Sequence, residues 1–179
     1  LVDPEGEVDE SQPAITQLGD VWQLGEHRLI CGDCTDASVM AQVMQGKQAV
    51  VAFADSPYNV GYEYADTDDN RTEDAYRDFC QQWFAVLQGA SEKQIVTPGA
   101  ANDTMWHSNW APYHTAVWTK TNAMTRGKVA QWWAWEPILF YGEHWQRDRA
   151  NDVFDCPVSN QQGVEDHTCP KPLKLLADL

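Results

Sequence analysis

Positive charge is what this chain of 179 residues has least of. Twelve Lys and Arg stand against 27 Asp and Glu, a formal net charge of −15. Nucleic-acid binding normally draws much of its affinity from phosphates neutralised by Lys and Arg, so this balance weighs against a broad electrostatic footprint on DNA or RNA. It fits a salty environment or a basic partner segment. No apolar run is long enough to span a membrane, and nothing resembles a signal peptide. Cysteine is sparse and odd in number, five in all and without disulfide-framework spacing, which predicts reduced thiols in a cytoplasmic protein. A G-x-G-x-x-G dinucleotide fingerprint and a P-loop are both missing. Disorder is excluded by what is present. An apolar content of 43% with nine Trp supports one domain with a real core.

That domain is expected over residues 17–179, behind an acidic arm or linker at 1–16 that carries Asp3, Glu5, Glu7, Asp9 and Glu10. Gly25 and Glu26 fit the turn of a hairpin over residues 19–30. Thr35 or Asp36 is expected to cap a helix with Val39, Met40, Val43 and Met44 inside and Gly46 as its stop. Residues 49–54 (AVVAFA) form an almost unbroken apolar run with β-branched Val50 and Val51, the pattern of a strand buried on both faces, as in a parallel sheet. A helix capped by Thr72 follows, with Tyr76, Phe79, Trp83 and Val86/Leu87 as its core stripe and Gly89 as its end. Further strands are predicted at 94–97, 113–120 and 135–141. Pro137 marks the last as an edge strand or a bulge.

The strand at 49–54 runs straight into Asp55-Ser56-Pro57-Tyr58, with Asn59 and Gly61 behind it. Ligands of open α/β sheets bind beyond the carboxyl ends of strands, where this carboxylate, rigid Pro and aromatic ring are expected to stand. As local structure alone, the tetrapeptide is equally a Pro turn capped by Asp55. Residues 126–133, with Arg126, Lys128, Trp132 and Trp133, are one of the few basic and aromatic patches. They suit a loop touching nucleic-acid backbone and bases, or equally core Trp beside solubilising charge.

The DSPY tetrapeptide resembles the D/N/S-P-P-Y/F motif of S-adenosylmethionine-dependent DNA amino-methyltransferases, with Ser56 in place of the first Pro. Other stretches resemble the beta class of that family in the same order: G-D-x-W-x-L-G-x-H-R-L-x-C-G-D ending at Asp33, then I-T-P-G, V-W-x-K and W-E-x-I-L-x-Y. His167-Thr168-Cys169-Pro170-Lys171-Pro172 resembles H-P-x-x-K-P. The resemblance implies an α/β fold, a three-layer Rossmann-like methyltransferase sheet, mostly parallel with a late antiparallel hairpin. It implies that Asp55 and the Ser56 carbonyl accept the two N–H bonds of an exocyclic base amine, with Pro57 stiffening the loop and Tyr58 stacking on a flipped base. Asn59, Arg126, Lys128 and Trp132 would contact DNA. Asp33, His167, Lys171 and Pro172 would flank S-adenosylmethionine, although Asp33 also reads as a plain turn or cap residue. Residues 143–165 take the place of a short target-recognition region.

The leading Asp leans toward adenine over cytosine. No Pro-Cys motif of the kind that attacks cytosine carbon 5 is present. The family's Gly-rich F-x-G-x-G loop is also missing. In the beta-class order it would follow residue 179, so the expectation is a partial and inactive domain with an incomplete cofactor pocket. The sheet should then be incomplete at the C-terminus, with an exposed edge that a homodimer could cover. The same fold acting on RNA or a protein Gln is a second reading. A zinc-stabilised binding module using Cys31, Cys34, His167 and Cys169 is a third.

Overall fold

The computed structural model describes residues 13, 15–62, 69–122, 133–145, 151–158 and 171–179. Arg126, Lys128, Trp132 and His167 fall outside these, as do most of the acidic arm and of the expected recognition region. Strands β1 (Val21–Leu24) and β2 (His27–Ile30) form the predicted antiparallel hairpin, turned at Gly25 and Glu26, as a separate two-stranded sheet. Helix α1 (Ala37–Met44) is capped by Asp36, whose side chain accepts from the Ser38 N–H. Its four predicted inward residues are half-buried.

The main sheet comprises β3 (Ala49–Ala54), β4 (Ser91–Val96), β5 (His114–Thr119), β6 (Trp135–Tyr141) and β7 (Val153–Asp155), in the order β3-β4-β6-β5-β7. Only β3–β4 and β5–β7 pair in parallel, while β4–β6 and β5–β6 are antiparallel. The expected Rossmann-like sheet, mostly parallel with a late antiparallel hairpin, is therefore not what these strands form. The sheet is mixed, and its antiparallel pairings lie in the middle.

Two strand expectations are corrected with it. β3 lies at an edge and leaves Val50, Val51 and Phe53 exposed, at 64%, 43% and 40%, so it is not buried on both faces. An apolar run reports hydrophobicity and not the number of neighbours. β6 is central, despite Pro137. Its partner β4 pairs only with residues 139–141, so the missing N–H of Pro137 removes no rung on that side. β7 appears in a stretch too polar to predict as a strand.

Alternation along the strands splits the core between the two faces. Val96, Leu139 and Tyr141 pack with Tyr76, Cys80, Trp83 and Phe84 of α2 (Glu73–Ala90) and Trp106 of α3 (Asp103–Asn109). Ile95, Ile138 and Phe140 face the other way, against Ala116, Trp118, Phe154, Cys156 and Leu175 of α4 (Leu173–Asp178). Each large side chain buried this way contributes about 1.5–3 kcal/mol. These two layers fix the carboxyl ends of β3 and β4 against the amino-terminal end of β6, where Glu136 and the loop after β3 meet. Among the described residues, no helix is long and apolar enough to cross a membrane.

Candidate amine-binding site

The loop after β3 is held by four side chains from other elements. Thr97, at the end of β4, is fully buried and donates its hydroxyl to Asp55 Oδ1 at 2.7 Å. The Tyr76 hydroxyl of α2 donates to the Pro57 carbonyl at 2.7 Å. Asn102, just before α3, donates its amide to the carbonyls of Tyr58 and Pro98 at 2.8 and 2.9 Å. Asp69, 2% exposed, accepts from the backbone N–H groups of Asn59, Val60 and Tyr62 at 2.8, 3.0 and 3.1 Å.

Asn59, expected on DNA, has its side chain turned to the loop's own frame. Its amide accepts from the Arg71 N–H and donates to the Arg71 carbonyl. Its positive φ of 57° is one that Asn tolerates better than most residues.

Tyr58 leads into a buried network of charges. Its hydroxyl lies 3.0 Å from both Asp55 Oδ1 and Glu136 Oε2, so one proton serves two carboxylates. Lys171 Nζ approaches that hydroxyl at 2.6 Å, Asp55 Oδ1 at 2.9 Å and Glu136 Oε2 at 3.3 Å. An ammonium has three N–H bonds, and each has an acceptor here. Lys120 pairs with the other Glu136 oxygen. Two carboxylates thus face two ammonium groups. The side chains of Glu136, Lys171 and Lys120 are only 5%, 7% and 13% exposed, while that of Asp55 opens to 33%.

The network dictates its own ionisation. Burial alone would raise the Glu136 carboxyl, but Lys171 and Lys120 outweigh it and hold it below the ordinary glutamate value. Burial would lower Lys171, but Glu136 and Asp55 hold it above the ordinary lysine value, so it is a fixed cation and not a base or nucleophile. Burial, followed by the charges of Glu136 and Asp55, raises the Tyr58 phenol, which stays protonated.

Asp55 and Ser56 each keep an acceptor open. All three bonds to Asp55 from the described residues converge on Oδ1, and Oδ2 receives none. The carbonyls of Pro57 and Tyr58 are taken by Tyr76 and Asn102, while that of Ser56 accepts no hydrogen bond among the described residues. Asp55, Ser56 and Pro57 line a cavity of about 180 Å³ whose other walls are Cys34, Met40, Ala54, Phe79, Trp83 and Leu87. Apolar walls with a few placed polar groups are the usual make-up of a small-ligand site. The Ser56 hydroxyl is buried there and lies toward the Tyr76 hydroxyl, without a well-formed hydrogen bond among the described residues.

Three of the residues expected beside the cofactor are described, and each has a local role. Asp33 accepts from the Thr35 N–H and hydroxyl through Oδ1, at 2.8 Å each. Pro172 stands at the N-cap of α4. Lys171 serves the Asp55 loop, and its charge has the same sign as a sulfonium. His167, the fourth expected residue, lies outside the described residues, and no hydrogen bond or ion pair among the described residues joins Asp33 to Lys171 or Pro172. Among them, no group of three or more His, Cys, Asp or Glu side chains could hold a metal.

Thr97, Glu136, Lys120 and Asn102 were not singled out in the sequence, and Tyr76 was expected only as a core residue of its helix. Glu136 carried a usable signal, since a charge inside the apolar run WEPILFY must find a partner if the run is buried. No protein-family model matches the chain, and no curated protein matches it.

Proposed function

We propose that the chain carries the base-accepting half of a DNA amino-methyltransferase, with the exocyclic amine of a flipped base, adenine before cytosine, as the methyl acceptor. S-adenosylmethionine is the donor this reading calls for. The observation that carries it is that Asp55 Oδ2 and the Ser56 carbonyl are open acceptors on adjacent residues, while Asp55 Oδ1 and the carbonyls of Pro57 and Tyr58 beside them are engaged. An exocyclic amine is a poor nucleophile because its lone pair is delocalised into the ring. Two acceptors on its two N–H bonds draw the nitrogen toward tetrahedral geometry and stabilise the charge that develops as it is alkylated. Ser56 supports this role as well as Pro would, because the acceptor is the main chain. Pro57 disfavours helical geometry at Ser56, which restricts the orientation of that carbonyl.

Tyr58 has a different part in this reading from the one its motif implied. Its hydroxyl is anchored in the charge network, so the ring is a fixed wall and not a freely swinging stacking platform. Titration with neutral nucleosides tests the site without phosphate repulsion from the net charge of −15. 2′-Deoxyadenosine and 2′-deoxycytidine should bind the chain more tightly than thymidine, which has no exocyclic amine. Asp55→Ala should erase the difference, with circular dichroism confirming the fold. Equal binding of all three to the unaltered chain overturns the proposal.

A further inference from the structure

We infer that Lys171 is a positioning residue that makes Asp55 selective for an N–H donor. This inference rests on the amine-binding reading above and assigns that site its specificity device. Lys171 reaches the loop from the residue before the α4 N-cap, and α4 is seated by Leu175, 1% exposed in the core of the opposite sheet face. The ammonium is therefore delivered by the docking of a helix and not by a free side chain.

Its effect on Asp55 follows from the three-way contact. Asp55 and Glu136 share one phenolic proton, and without a cation between them two carboxylates this close repel strongly in a dry site. Glu136 is enclosed and Asp55 is one-third open, so Asp55 is the partner that would swing outward. With Lys171 present, Oδ1 is held by three donors, which oppose an outward swing of the carboxylate. Oδ2 is left as the one open acceptor oxygen of the carboxylate. A fixed ionised acceptor attracts an amine N–H and repels a ring carbonyl, so the discrimination is between amine and keto bases and not between ring sizes.

The experiment compares 2′-deoxyadenosine with N6,N6-dimethyl-2′-deoxyadenosine, which keeps the ring and has no amine N–H. A hydrogen bond to a charged group is worth about 1.5–3 kcal/mol, so the unaltered chain should prefer deoxyadenosine by about tenfold or more. In Lys171→Met this preference should collapse to about twofold or less, on the same energy scale, while the dimethyl compound binds as before. If Lys171→Met keeps the full preference, or weakens both nucleosides in proportion, Lys171 is only structural and the inference is wrong. If the unaltered chain shows no preference, the amine-binding reading itself fails, a result distinct from either of those.

A second readout does not depend on the Met variant folding. The 15N signal of the Lys171 ammonium, identified by its loss in Lys171→Arg, should shift on adding deoxyadenosine and stay still on adding the dimethyl compound. No shift with deoxyadenosine contradicts the inference.

Discussion

The ring of Tyr58 closes directly on Gly99: a Cβ at Gly99 would come within 2.9 Å of two ring carbons. Gly99 has φ 78° and ψ 149°, a conformation almost confined to glycine. The turn after β4 and the loop after β3 thus touch at a point where only hydrogen fits. Gly99→Ala meets both the backbone penalty and the clash, and is expected to cost about 1–3 kcal/mol from the backbone alone. Urea unfolding should show a lower midpoint at unchanged slope, and Tyr58 ring resonances should shift. An unchanged midpoint would mean that Tyr58 can move aside freely.

Tyr58→Phe keeps the ring and removes the hydroxyl that two carboxylates and Lys171 share. The loss of hydrogen bonds to charged partners should destabilise the chain by about 1.5–3 kcal/mol. From the motif alone this substitution reads as mild, because stacking would survive it. Denaturation that shows Phe as stable as Tyr would favour the motif reading over the network.

Glu136 gives the network its pH dependence. Its pKa is lowered in the folded chain, so its contribution is present above the ordinary glutamate value, 4.5, and is lost as pH falls through the folded value. Lys171 has the opposite sign. Its pKa is raised, so its contribution is present below 10.5 and is lost as pH rises through the folded value. The pair therefore stabilises the fold between these limits. Glu136→Gln breaks a buried pair and should cost about 3–5 kcal/mol at neutral pH. The stability difference from the unaltered chain should shrink on acidification, read from melting temperatures at pH 7 and below pH 4.5. A pH-independent difference would contradict the assignment.

Asp69 should govern the loop's order. Asp69→Ala strands three backbone N–H groups, at about 1–3 kcal/mol for each donor that finds no water. Hydrogen exchange at Asn59, Val60 and Tyr62 should accelerate together while that of β5 and β6 stays slow. Unaltered exchange at the three amides would show that another group holds the loop.

Local chemistry was legible in the sequence, and pairing was not. Asp36 and Thr72 cap their helices as their positions predict, because a cap depends on residues within one turn. The hairpin at Gly25 and the strand ending at Ala54 were equally local. The mixed order of the sheet, the edge position of β3 and the central position of β6 depend on which strands meet across long loops, and hydrophobic runs do not encode that. Lys171 illustrates the same limit at the site. Its motif placed it with a cofactor, whereas its position is set by Leu175, four residues further on, in a core on the other face of the sheet. Glu136 lay in plain view inside WEPILFY, but its partners came from residues 58, 120 and 171.

The account turns on whether Asp55 Oδ2 and the Ser56 carbonyl take the two N–H bonds of one amine. Titrating the chain with 2′-deoxyadenosine labelled with 15N at the exocyclic amine measures this most directly. Both amine protons should move downfield in the complex, and Asp55→Ala should remove the shift of one of them and leave the other. Binding of deoxyadenosine with neither proton shifted would contradict the account.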